Sequence, residues 1–122
     1  MSALGKAVAI VDDDQAVLDA TSEFLESLGY SAVAFSSGED FLSFSGQAAI
    51  SHLLTDVNMP GMSGLELQDI VRQRYPNMTV IMMTALRDEV VRRRALAGGA
   101  KELLRKPIIA DDLIRCLEDA AT

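Results

Sequence analysis

Tryptophan is absent from this chain, and histidine and cysteine occur once each, as His52 and Cys116. A single thiol excludes an internal disulfide framework. A single imidazole leaves no partner for a histidine-based metal or phosphorelay site, so His52 reads as structural or surface. No apolar run approaches membrane-spanning length. Met1 to Lys6 holds no apolar stretch, and the first one, Ala7 to Val11, is short and ends in acids, which argues against a signal peptide. The expectation is a soluble, cytoplasmic protein. Positive charge is scarce in one half: through Gly61 a single base, Lys6, stands against nine acids, whereas from Met62 onward ten bases meet nine acids. A chain of net charge −7 is a poor general binder of nucleic-acid phosphates. A cluster of acids is a reasonable cation site.

What is present is a repeating pattern. The 122 residues are read as one domain spanning the whole chain, 1–122, long enough to bury a core without staples. Ala7 to Val11 predicts a buried strand that stops at Asp12-Asp13-Asp14, with Asp14 placed to cap a helix marked by Val17, Thr21, Phe24, Leu25 and Leu28 and ended by Gly29. Ser31 to Phe35 predicts a second strand, and Ser36-Ser37-Gly38 a turn into a short helix from Glu39 to Phe44. A loop from Gly46 to Ser51 leads to strand three, His52 to Thr55. Leu65, Ile70 and Val71 mark the next helix. Thr79 to Met83 with Thr84, then Asp88 to Ala97, then Lys101 to Arg105, then Ala110 to Asp119 complete the alternation. Leu113, Ile114 and Leu117 are expected to face inward in the last helix, with Cys116 inert beside them. Five strand–helix repeats with short apolar strands predict an α/β fold, a parallel sheet with helices on both faces.

The polar residues fall at strand ends: Asp12 and Asp13 after strand one, Asp56 after strand three, Thr84 at the end of strand four, Lys106 after strand five. A parallel sheet carries all of them at its carboxyl edge, where such folds bind ligands. Three neighbouring carboxylates repel one another and call for a divalent cation, and oxygen ligands favour Mg²⁺ or Mn²⁺ over zinc. An aspartate can attack phosphorus and form an aspartyl phosphate. Phosphoryl transfer then needs mainly positioning and charge neutralisation, from a metal, Lys106 and the Thr84 hydroxyl.

These pieces, Ile10-Val11-Asp12-Asp13-Asp14, Asp56 through Gly64, Thr84-Ala85, and Gly99-Ala100 with Lys106-Pro107, resemble the receiver domain of bacterial two-component response regulators over nearly the whole chain. The Pro60-Gly61-Met62-Ser63-Gly64 loop is most similar to receivers that precede LuxR-type helix-turn-helix domains. The resemblance implies a flavodoxin-like fold of strand order 2-1-3-4-5. It implies Asp56 as phosphoacceptor from a histidine kinase or phosphotransfer protein. The metal would be held by Asp13, Asp56 and the Asn58 backbone carbonyl, with Asp12 acting through water. Thr84, Ala85 and Lys106 would bind the phosphoryl group and sense it. The surface of helix four, strand five and helix five would carry the output, including phosphorylation-dependent self-association, and a cis Lys106-Pro107 bond is common in the family.

Three positions depart from or vary within the pattern. The family usually has tyrosine or phenylalanine where this chain has Leu103, so the aromatic output relay is missing and signalling is expected through Thr84 to Arg94 instead. Asn58 and Leu86 occupy the positions that tune acyl-phosphate lifetime, and an apolar Leu86 is expected to slow self-hydrolysis. Asn58 also argues against the alternative of a haloacid-dehalogenase-type phosphohydrolase, which needs an acid two residues after its nucleophile. No external turnover substrate is expected, so the chain reads as a switch rather than an enzyme. Arg92-Arg93-Arg94 point in three directions on a helix and read as a solvated face, with a partner surface as the functional alternative. A further reading makes the chain the amino-terminal part of a longer DNA-binding transcription regulator.

Overall fold

Residues 7–118 are described in the structure, a computed structural model. The sequence readings of Met1 to Lys6 and of Asp119 lie outside these residues. The strands are β1 (Ala7–Val11), β2 (Ser31–Phe35), β3 (Ile50–Asp56), β4 (Thr79–Thr84) and β5 (Glu102–Arg105). The helices are α1 (Gln15–Ser27), α2 (Gly38–Ser43), α3 (Gly64–Arg74), α4 (Glu89–Ala97) and α5 (Ala110–Glu118). All strand pairs are parallel and the order is β2-β1-β3-β4-β5, a flavodoxin-like sheet.

Strand alternation divides the core in two. Ala9 and Val11 of β1, Leu53 of β3 and Val80 and Met82 of β4 pack with Phe41 of α2 and Leu67 and Val71 of α3 on one face. Val8, Ile10, Leu54, Ile81 and Met83 point the other way, toward Leu18 and Leu25 of α1 and Leu113 and Leu117 of α5. The central strands are therefore apolar on both faces, as buried parallel strands must be.

Side-chain caps fix where the helices begin. The Asp14 carboxylate accepts from the Ala16 and Val17 amides at 2.9 and 3.4 Å. Ser63 and Glu66 form a reciprocal capping box at the start of α3. Asp88 caps α4 rather than opening it, accepting from Val90 and Val91.

Three sequence expectations need correction. The stretch from Gly46 to Ser51 is not a plain loop: Gln47–Ala49 form a 3-10 turn and β3 already begins at Ile50. Buried Gln47 holds that turn by donating to the carbonyls of Phe41 and Leu42 at 3.0 and 3.2 Å. Ile50 pairs with Ala7, and the register slips by one so that His52 faces Val8. The short helix α2 starts and stops one residue early because Ser37 accepts from the Asp40 amide and caps it. In α5, Cys116 takes an inward place with Leu113 and Leu117, while Ile114 is only half-buried.

Candidate functional site

The carboxyl ends of β1 and β3 are adjacent in the sheet, and this brings Asp12 and Asp56 together. Asp12 is fully buried and Asp56 is 6% exposed, whereas Asp13 is exposed. Asp12, Asp13 and Asp56 each present a carboxylate oxygen, and these oxygens lie within 4.8 Å of one another. Lys106, immediately after β5, reaches across: its Nζ is 2.7 Å from Asp12 Oδ2 and 3.5 Å from Asp56 Oδ2. The second oxygen of Asp12 accepts from the Asp14 amide at 2.9 Å. Sequence reasoning gave Asp12 a role through water; the structure gives its carboxylate a direct partner in Lys106. The Lys106-Pro107 bond is cis.

The electrostatics follow from this packing. Three carboxylates against one ammonium leave the crevice with a formal charge of −2. Burial pushes the Asp56 carboxyl above its ordinary range; the Lys106 charge opposes this, the Asp12 charge adds to it, and the Asn58 backbone N–H opposes it. Burial disfavours the Lys106 ammonium, but its hydrogen bond to Asp12 and the charges of Asp56 and Asp12 together outweigh burial and raise it. An acid that resists ionisation beside a second acid is a group that a dication would stabilise in its charged form. The all-oxygen donor set suits a hard cation, so this acidic pocket can hold one.

The backbone around Asp56 is tightly constrained. The Val57 amide donates to the Met83 carbonyl at 2.9 Å, and the Gly64 amide donates to the Val57 carbonyl at 2.8 Å. A Cβ on Gly64 would lie 2.2 Å from the Asp56 carbonyl oxygen, so no other residue fits without moving the strand end. Gly61 has φ +75, a conformation that favours glycine. Glu39 of α2 closes the loop from outside, its Oε2 accepting from the Met62 amide at 3.3 Å.

Thr84 is buried at the end of β4, and its hydroxyl oxygen accepts from the Leu86 amide at 3.1 Å, leaving the O–H free to donate. The Thr84 carbonyl accepts from the Lys106 amide at 2.8 Å, which ties the ends of β4 and β5 together. Ala85 and Leu86 are exposed. Leu103 lies on β5 opposite Met82, half-buried against the α2–α3 core. His52 is buried, with Nδ1 2.7 Å from Ser51 Oγ and its ring edge-on to Tyr30. Of the arginine cluster, Arg92 pairs with Glu102 at 3.3 Å, and Arg93 and Arg94 are exposed.

Sequence reasoning missed three positioning side chains. Glu39 gave no signal, because its partner lies 23 residues away. Gln68 and Arg72 of α3 hold the end of α4, donating to the Ala95 carbonyl at 3.1 Å and the Gly98 carbonyl at 2.7 Å. Gln68 was detectable in principle as a polar residue at a core position between Leu67 and Val71.

Known proteins share both the sequence and the shape. Residues 8–118 match the family model described as response regulator receiver domain. The chain is 35% identical over 113 residues to the response regulator protein TmoT of Ectopseudomonas mendocina, covering 93% of this chain and 51% of TmoT. The chain thus spans about half the length of that curated relative. A receiver-domain structure from Clostridium thermocellum superposes with a TM-score of 0.89 at 29% identity, covering 94% of this chain and 93% of that one. The BeF3-activated receiver domain of DrrB, a Thermotoga maritima protein, gives 0.86 at 30% identity and 97% coverage of both chains. A sheet of order 2-1-3-4-5, an acidic crevice at its carboxyl edge and a family match over nearly all described residues lead to one conclusion: this chain belongs to the response regulator receiver domain family of two-component systems.

Proposed function

We propose that Asp56 accepts a phosphoryl group from the phosphohistidine of a sensor kinase or phosphotransfer protein, and that the resulting acyl phosphate switches a partner-binding surface. The observation that carries this is the pairing of a buried, charge-resistant Asp56 with Lys106 inside a crevice of formal charge −2. An Asp56 carboxylate oxygen attacks phosphorus in line, the phosphorus–nitrogen bond of the donor breaks, and the departing imidazole nitrogen takes up a proton. Lys106 shifts from Asp12 and Asp56 toward the added oxygens, and the Thr84 O–H donates to one of them. Ala85 presents its exposed backbone next to them.

Asp13, Asp56, the Asn58 backbone carbonyl and, through water, Asp12 are the groups that would hold Mg²⁺ or Mn²⁺, which when bound supplies the positive charge that neutralises the transferring oxygens. The phosphoprotein then biases a two-state equilibrium rather than turning over an external substrate. A phosphohydrolase of the haloacid-dehalogenase type would need an acid two residues beyond Asp56, where Asn58 stands. A cytoplasmic setting suits a kinase-fed switch, and no helix among the described residues is long and apolar enough to cross a membrane. The narrower likeness to receivers preceding LuxR-type domains gains no support from the matched relatives.

The test is phosphorylation by acetyl phosphate with Mg²⁺, read by intact mass and by association state. A single adduct on the wild type and none on Asp56→Asn is the expected result. An equal adduct on both proteins rejects Asp56 as the acceptor, and steady release of phosphate from a simple monoester rejects the switch reading.

A further inference from the structure

Between α4, β5 and α5 lies a cavity of about 490 Å³. Its charged lining is Arg92, Lys101, Glu102, Arg105, Asp112 and Arg115, four cations against two acids. Both acids are already engaged within the set: Glu102 pairs with Arg92 at 3.3 Å and Asp112 with Arg115. Arg105 forms no ion pair among the described residues, and neither does Lys101. The Lys101 backbone is fixed, its amide donating to the Val80 carbonyl at 2.7 Å, yet its Nζ is shut off from solvent with no hydrogen-bond partner among the described residues.

That arrangement is costly as it stands, because a buried polar group without a partner has lost its water and gained nothing in return. The side chains also converge. Burial pushes the Cys116 thiol up, and the charges it senses next are those of Glu102, Lys101, Arg115 and Asp112, the same groups that line the cavity. In a chain of net charge −7, a pocket with two uncompensated cations is an exception.

We propose that this cavity binds a dianionic phosphate, seated between Lys101 and Arg105. Two uncompensated cations match two negative charges, and a tetrahedral oxyanion offers acceptors to both a point ammonium and a forked guanidinium. The flexible lysine stem lets Nζ swing from its covered position into the cavity and gain the partner it lacks. Leu103 lines the same cavity, so the bound anion touches β5 where the family's aromatic relay is missing.

Titration of the full chain with inorganic phosphate tests this, without divalent cation, at constant ionic strength set by chloride, read by backbone and lysine-ammonium resonances. Saturable shifts centred on residues 101–105 and 112–116 are expected. Lys101→Met keeps the stem and removes the charge, and weakens binding by about tenfold, equivalent to about 1.4 kcal/mol. Arg105→Gln alters an exposed side chain, serves as a second variant with little risk to folding, and also weakens binding. Arg93→Gln, outside the cavity, leaves affinity unchanged. A parallel titration with glycerol 3-phosphate separates the sources: tighter binding identifies an organic phosphoryl group as the ligand, and equal or weaker binding identifies free phosphate. Absence of saturation, shifts centred on Asp56 and Lys106, or equal weakening by Arg93→Gln would each overturn the proposal.

Discussion

The two ends of β5 differ in how their charges are arranged. At its carboxyl end Lys106 meets Asp12 and Asp56, so the cation there is over-supplied with acids. At its amino end Lys101 pairs with no acid among the described residues, and Glu102 and Asp112 are held by Arg92 and Arg115. The first arrangement wants an added cation and the second an added anion. The supporting backbone differs as well. The acceptor side is locked by Gly64 against the Asp56 carbonyl and by buried strand ends, so its geometry is set before any ligand arrives. The groove between α4, β5 and α5 is lined by long side chains that can rearrange, and the Ala85 to Val90 segment that follows β4 is exposed. Under the proposed switch reading, rigid chemistry beside an adjustable surface is a sensible division.

The comparison predicts its largest contrast in stability. Gly64→Ala drives a methyl into the Asp56 carbonyl oxygen, a backbone atom that cannot step aside, and should destabilise the fold by about 3 kcal/mol. Arg105→Ala on the exposed surface of β5 should cost no more than about 0.5 kcal/mol. Urea unfolding of both variants measures the difference, and similar midpoints would mean the acceptor loop is not the rigid part.

A smaller effect concerns the lifetime of the phosphoprotein. Leu86 is 60% exposed beside Thr84 and offers nothing to orient a water. Leu86→Glu supplies a carboxylate that can, and the acyl phosphate should decay about tenfold faster. Loss of the phosphorylated mass over time is the readout, and equal decay rates would show that Leu86 does not limit water access.

The acidic crevice also makes a pH prediction. Because folding raises the Asp56 pKa, the folded state holds its proton more tightly than the unfolded chain does. Stability contributed by the protonated form is present below the ordinary carboxylate range and is lost as pH rises through the raised value. Without divalent cation, Asp56→Asn should therefore be more stable than the wild type at pH 7. The advantage should shrink on acidification toward pH ~4. Added Mg²⁺ should stabilise the wild type and leave the variant unmoved. Thermal unfolding across pH checks the sign, and an advantage that grows in acid would contradict it.

Much of this was legible in the sequence, for reasons that can be traced. The bounds of β1 and β2 were readable because each is a short apolar run closed by Asp12 or by Ser36-Ser37-Gly38. Strand order could not come from periodicity, since the central strands are apolar on both faces, and it came from the resemblance. Reading β3 from His52 missed Ile50 because a 3-10 turn stitched by Gln47 leads straight into the sheet, and a glutamine carries no periodic signal. The gathering of Asp12, Asp13 and Asp56 at one edge followed from parallel topology alone. Which carboxylate Lys106 prefers did not, because it depends on how far one side chain reaches across the sheet. The cavity at Lys101 was invisible for a related reason: a lysine opening a strand looks like a surface lysine until its Nζ is seen to be covered.

The smallest predicted effect lies at Leu103, and it separates the two regions most cleanly. Leu103 sits on β5 opposite Met82 and packs against the α2–α3 core. Leu103→Tyr should leave the rate of phosphorylation by acetyl phosphate within about twofold of wild type. The readout is a different matter. Gln68 and Arg72 pin α4 at Ala95 and Gly98, and Arg92 is tied to Glu102, so the carboxyl half of α4 resists displacement. The free length is Ala85 to Val90, joined to the site by the bond from the Leu86 amide to Thr84 Oγ1. If, as proposed, the Thr84 hydroxyl turns toward an added phosphoryl oxygen, that bond should be the first to be remade. Beryllofluoride should therefore shift residues 84–90 in the wild type while 95–98 stay fixed, and Leu103→Tyr should extend the change along β5. Crystal structures with and without beryllofluoride decide this: a still Thr84–Val90 segment beside a rearranged Leu103 would place the relay on β5 after all.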